Sequence, residues 1–230
     1  MAACRAPLAG EATRVTEPQD GGLQRKPIIG LMGGIGSGKS TVAGLLRETG
    51  AAVIESDALN RAQLREPEVV RTLVDWWGEG ILDSTRALDK QRIAQMIFAD
   101  DAERRRLEAL LHPRIAAERE RLIAKFQQDP RVWAIVLDTP LLLESGLDQR
   151  CNAVIFVDAD EAVRRSRVVE QRGWHEDDWR RREKSQNALD KKRTSADYVV
   201  INNSTDLEEL RNDVNKLLSR LAATSRNEAP

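Results

Sequence analysis

Gly33-Gly34-Ile35-Gly36-Ser37-Gly38-Lys39-Ser40 matches the pattern GxxxxGK[ST], directly after the apolar run 28–32. A loop that wraps a triphosphate with its backbone N–H groups needs glycine at the tight positions, where a side chain would block the fold or the anion. Lys39 would place a point charge on the β- and γ-phosphates, and the Ser40 hydroxyl would reach a Mg²⁺ ion. A helix starting near Lys39 would turn its positive end toward the same anion. The bland alternative is a glycine-rich turn with no ligand.

Two further carboxylates belong with this loop. Residues 135–138 form an apolar run ending in Asp138, the form of a Walker B aspartate that holds Mg²⁺; an ordinary strand-ending aspartate is the alternative. Asp57 follows Ile54 by three residues, at the same predicted sheet edge, where a carboxylate can accept a proton from an attacking hydroxyl. Capping a helix that begins near Ala58 is a compatible role. No glutamate follows Asp138, and Asn215-Lys216 is followed by Leu217-Leu218 rather than by a guanine-reading aspartate. Both features weigh against motor ATPases and GTPases and favour a kinase.

The elements that must hold these groups read as an α/β alternation. Apolar or β-branched runs at 28–32, 51–54, 132–137, 153–157 and 198–201 predict five parallel strands joined by helical crossovers. The long gap between the second and third runs is too large for a simple crossover. Leu88, Ile93, Met96, Ile97, Leu107, Leu110, Leu111, Ile115, Leu122, Ile123 and Phe126 fall there mostly at helical spacings, which predicts a helical insertion. Within it, His112-Pro113 reads as a helix break. A polar stretch at 161–194, with seven arginines up to Arg182, predicts a lid or a solvated helix pair. Trp76 and Trp133 are expected in the core, and Trp174 near a nucleotide. Residues 207–221 predict a last helix, with 222–230 fraying.

The 230 residues carry 36 basic and 37 acidic side chains and a net charge of −1, without the basic footprint of a nucleic-acid or membrane-surface protein. A small-molecule substrate is the simpler expectation, with no obligate protein partner implied. Cys4 and Cys151 have no metal-ligand spacing and are expected as free thiols in a reducing cytoplasm. No apolar run approaches the ~18 residues of a membrane span. Residues 1–26, poor in large apolar side chains, are expected to be a disordered extension.

Over about 27–213 the chain resembles the dephospho-CoA kinases. The resemblance lies in the loop 33–41 with Thr41 after Ser40; in Asp57 with Arg61; in Leu107-Glu108 followed by His112-Pro113-Arg114-Ile115; in Asp138 to Gly146; and in Gln186, Lys192, Ala196-Asp197-Tyr198 and Asn202. Departures are Glu55-Ser56 before Asp57, Leu143 for the usual Phe, an added residue among the lid arginines, and Asn203-Ser204 after Asn202. The resemblance implies a three-layer P-loop kinase fold with a five-stranded parallel sheet and a single kinase domain over 27–224. Its nucleotide core would be 27–59, 132–160 and 195–224, with a substrate-binding helical insertion at 60–131, an Arg-rich lid at 161–194 and a frayed 225–230. It also implies transfer of the ATP γ-phosphoryl to the ribose 3′-hydroxyl of dephospho-CoA. Asp57, Lys39, Arg167 and Arg172 would be catalytic. Gly34, Ile35, Gly36, Ser37, Gly38, Lys39, Ser40, Thr41 and Asn202 would bind ATP; Asp57, Arg61, His112, Arg114 and Leu141 would bind the acceptor; Ser40 and Asp138 would hold Mg²⁺. Another small-molecule kinase, or a nucleotide-dependent regulatory switch, remains open.

Overall fold

The computed structural model describes residues 25–185, 189–204 and 206–227. Five parallel strands, β1 (Ile28–Gly33), β2 (Ala52–Glu55), β3 (Ile135–Asp138), β4 (Ala153–Asp158) and β5 (Tyr198–Ile201), stand in the order β2-β3-β1-β4-β5. Both faces of the central strands β1, β3 and β4 are covered, so these read as near-continuous apolar runs rather than as alternating ones, whereas on edge strand β5 Val199 and Ile201 stay exposed. Alternate side chains still go to opposite layers. Ile29, Leu31, Val136, Ile155 and Val157 pack with Val42, Leu45 and Leu46 of α1 (Lys39–Glu48) and with Leu210, Val214 and Leu217 of α9 (Leu207–Asn227). Met32, Ile135, Leu137, Val154 and Phe156 face the other way, against Leu59 of α2 (Ser56–Gln63) and Ile123 of α5 (Asp101–Gln128).

The insertion consists of α2, α3 (Pro67–Trp77), α4 (Lys90–Ala99) and α5. It has its own small core of Val69, Leu73, Ile81, Ile93, Leu107 and Leu111, onto which Trp76 packs. Leu88, expected on a helix, instead forms an isolated antiparallel bridge with Leu82. The His112-Pro113 break is also corrected, because α5 runs unbroken through Pro113. Proline denies the carbonyl four residues back its donor, but Ala109 and Pro113 are both exposed, so water can serve that carbonyl. Leu107 and Leu111 on one side of the proline and Ile123 on the other are anchored in two separate cores, which holds the helix through it.

The expected strand at 132–137 begins only at Ile135. Trp133 precedes it and is 36% exposed rather than in the core, with its indole N–H donating to Thr49 Oγ1 at 3.3 Å. The lid stretch is helical, as α6 (Glu161–Arg172), α7 (Glu176–Ser185) and α8 (Leu189–Thr194). Trp179 of α7 is 1% exposed. The last helix continues past Leu221 to Asn227. At the other end, Lys26 is tied to the end of α5: its backbone N–H donates to Gln127 Oε1 at 2.9 Å and its ammonium to the Phe126 carbonyl at 2.7 Å. Residues 1–24 and Gln186 lie outside the described residues. Among the described residues, no helix is long and apolar enough to cross a membrane.

Candidate active site

The strand register gathers the chemistry at one sheet edge. Asp138 ends β3 opposite Leu31 of β1 and Glu55 of β2, so the carboxylate emerges beside the start of the phosphate loop. That loop leaves β1 at Gly33 and enters α1 through Gly38, whose φ of 86° is left-handed. A Cβ there would lie 2.0 Å from Asn202 Nδ2, so both the backbone angle and the space require glycine. Asn202 Nδ2 donates to the Ser37 carbonyl at 2.8 Å, fastening the end of β5 to the loop. Ser37 itself is 1% exposed. Lys39 opens α1, and its ammonium forms an ion pair with Asp138 across the cleft.

A cleft of about 620 Å³ sits over this edge. Its walls include Gly34, Ile35, Gly36, Gly38, Lys39 and Ser40 from the loop, Asp138, Pro140 and Leu141 after β3, Asp57 and Arg61 from α2, and Trp174 after α6. Helix α2 begins at Ser56 with Glu55 at its cap position, so Asp57 lies inside the first turn rather than at the cap. Asp57 and Arg61 are one turn apart on α2 and both line the cleft. His112 and Arg114 are not among the cleft residues: His112 is exposed on α5, and Arg114 pairs with Glu68 of α3 at 3.1 Å.

A second hollow of about 250 Å³ adjoins the loop on its other side. Gly36, Gly38, Ser40, Thr41, Arg167, Gln171, Asn202, Ser204 and Leu210 line it. Sequence reading found only part of this set, because Gln171 and Ser204 are polar residues in polar stretches. Their shared wall arises from the fold alone.

The lid arginines divide by burial. Arg167 Nη1 donates to the Asn202 carbonyl at 2.9 Å and Nη2 to the Ser204 carbonyl at 3.0 Å. Burial pulls its pKa below the ordinary guanidinium value. Arg164, 5% exposed, donates through Nε to the Ala159 carbonyl at 3.0 Å, and its guanidinium carbon stands 5.9 Å from the centre of the Trp179 ring. Its Nη1 lies 3.1 Å from where a Cβ on Gly34 would stand, so this cation rests against the phosphate loop. Arg165 and Arg180 instead pair with Glu176 near the surface, at 2.7 and 2.6 Å. Arg172 ends α6, and its side chain lies outside the described residues.

The donor set suits a hard divalent cation. Ser40 offers a hydroxyl and Asp138 a carboxylate, the one or two oxygen ligands that Mg²⁺ takes from protein when phosphates and water supply the rest. Among the described residues, no group of three or more His, Cys, Asp or Glu side chains is arranged as a dedicated metal cage.

A 2-3-1-4-5 parallel sheet, a phosphate loop between β1 and α1, an acidic strand end beside it and an arginine-bearing helical lid define a P-loop kinase. The dephospho-CoA kinase family profile matches residues 27–209. A dephospho-CoA kinase of Corynebacterium glutamicum is 40% identical over 195 residues, 84% of this chain and 96% of that one. One from Symbiobacterium thermophilum is 39% identical over 176 residues, 76% and 73% of the two chains. A crystal structure from Thermus thermophilus superposes with a TM-score of 0.72 at 31% identity, covering 87% of this chain and 98% of that one. The Campylobacter jejuni dephospho-CoA kinase shares the fold, with a TM-score of 0.60 at 18% identity over 85% of this chain and 97% of its own. The chain belongs to the dephospho-CoA kinase family and is an ATP-dependent kinase.

Proposed function

We propose that this chain transfers the γ-phosphoryl group of ATP to the ribose 3′-hydroxyl of dephospho-CoA, giving CoA and ADP. One observation carries the proposal: Asp57 and Arg61 share a single cleft with Lys39, Ser40 and Asp138. Phosphoryl transfer asks the protein mainly for positioning and charge neutralisation, and that grouping supplies both. The N–H groups of residues 34–41 cradle the phosphates, and Lys39 moves its charge from Asp138 to the β- and γ-oxygens. Asp57 orients the acceptor hydroxyl and accepts its proton as the new P–O bond forms. Arg61 holds the acceptor beside it, with Leu141 as the apolar wall. Ser40 and Asp138 would hold Mg²⁺, which when bound screens the charge of the phosphates.

The hollow beside Asn202 is assigned to the adenosine half of ATP, with Thr41 at the phosphate end. Arg167 braces the loop from behind through the Ser204 and Asn202 carbonyls. Arg164, beside Gly34, adds positive charge there, and Arg172 at the end of α6 is assigned to charge stabilisation of the migrating phosphoryl. His112 and Arg114 serve the far end of the acceptor from α5, which packs against α2. The setting is the cytoplasm, supported by the free thiol of Cys151.

The test is ADP release from ATP and Mg²⁺ with and without dephospho-CoA, the product being identified by mass. Acceptor-dependent ADP with CoA formed is the expected result. ATP binding without any response to dephospho-CoA would overturn the acceptor and reopen the search among other small alcohols and nucleotides.

A further inference from the structure

Lys192 is 0% exposed, an unusual place for an ammonium group in a stretch as polar as α8. Its Nζ donates to the Pro140 carbonyl at 2.8 Å and pairs with Glu144 Oε1 at 3.2 Å. Both partners belong to the segment that follows Asp138, and Pro140 is itself a wall of the cleft. One helical turn earlier on the same face, Leu189 Cδ2 lies 3.1 Å from where a Cβ on Gly34 would stand. Helix α8 is therefore wedged between the phosphate loop and the wall at Pro140 and Leu141.

A side chain of similar length without charge would fill the same volume and avoid the cost of desolvating an ammonium. The charge adds a directional hold on one carbonyl and one carboxylate. The segment is seated from the sheet side by Leu142, which is 0% exposed and packs so closely on Gly30 that a Cβ there would stand 2.6 Å from its Cδ2. Lys192 is the second fixing point, on the cleft side. The phosphate loop has separate fastenings in Asn202 and Arg167.

We propose that Lys192 is a positioning residue for the phosphoryl acceptor, acting through Pro140 and Leu141 and not through the nucleotide. This rests on the assignment of that cleft wall to dephospho-CoA. Lys192→Met should raise KM for dephospho-CoA by roughly tenfold or more, as expected for losing a hydrogen bond from a charged group, while KM for ATP stays within about twofold. A merely structural role would either lower the amount of active enzyme, and with it the apparent kcat, with both KM values unchanged, or disturb both sites and raise the two constants together. If Lys192→Met fails to fold, Glu144→Gln keeps the shape of a side chain that is 25% exposed and should shift the same constant in the same direction by less. An unchanged acceptor KM in a folded variant, or a parallel rise in both constants, overturns the positioning role alone. A wild-type enzyme giving no dephospho-CoA-dependent ADP overturns it together with the acceptor assignment.

Discussion

Asp57 and Lys39 have different tasks, and their substitutions should fail differently. Asp57→Asn keeps the shape and loses the proton acceptor, so kcat should fall by roughly 10²–10⁴ with KM for ATP little changed. Wild-type turnover in steady-state assays would remove Asp57 from the chemistry. Lys39→Ala removes charge from the phosphates and strips Asp138, 7% exposed, of its ion-pair partner. ATP affinity and kcat should fall together, as read by calorimetry and initial rates. Cys151 offers a test away from the cleft. Burial pushes its thiol up from 9.0 to about 11, so the folded chain holds that proton more tightly than the unfolded one. The stability this supplies is complete below pH 9 and is lost as pH rises toward about 11. At pH 8 the native Cys151 peptide should therefore alkylate much more slowly than the denatured one, with mass spectrometry as the readout.

Helices and strands differ in how plainly their roles could be read in advance. All five strands and the helical nature of the insertion were legible, because a parallel sheet packed between helical layers must be built from apolar runs at definite points in the chain. The positions of the phosphate loop, Asp138 and Asp57 were legible for the same reason: the loop follows β1, Asp138 ends β3, and Asp57 lies in the helical turn directly after β2. Lys192 was legible only as a position matching the family pattern, with no role or burial attached, since hydropathy gives no sign that a lysine in a polar run will be wholly buried. The 132–134 segment was misjudged because apolar residues can lead into a strand without joining it, as Trp133 does. The proline of α5 was misjudged because local chemistry argued for a break while two distant cores held the helix together. That conflict is measurable. An interior proline costs about 3 kcal/mol relative to alanine, whereas its restriction of the unfolded chain returns up to about 1 kcal/mol. Pro113→Ala should therefore stabilise the protein by about 2 kcal/mol in urea unfolding; a loss of stability would show that the proline geometry is required.

For the molecule as a whole, the working edge is assembled from segments far apart in the chain, and its opposite end is closed by Lys26 against α5. Deleting residues 1–24 should leave kcat and both KM values unchanged. Extending the deletion through Lys26 should lower stability by about 1–2 kcal/mol, since its hydrogen bonds to Gln127 and Phe126 are lost, while the active-site constants stay put. Thermal melts of the two truncations would separate these outcomes. The strand order has a further consequence, for how the chain is made. β1 sits at the centre of the sheet, yet its partners β3 and β4 begin at Ile135 and Ala153. At roughly 5–20 residues per second, the ~100 residues between β1 and β3 take on the order of ten seconds to synthesise. Throughout that interval the central, apolar strand of the nucleotide core has left the ribosome with both of its hydrogen-bonding edges unpaired. A nascent chain stalled before Asp158 should therefore bind chaperones and resist folding, and release of β4 should be the point at which it becomes protease-resistant.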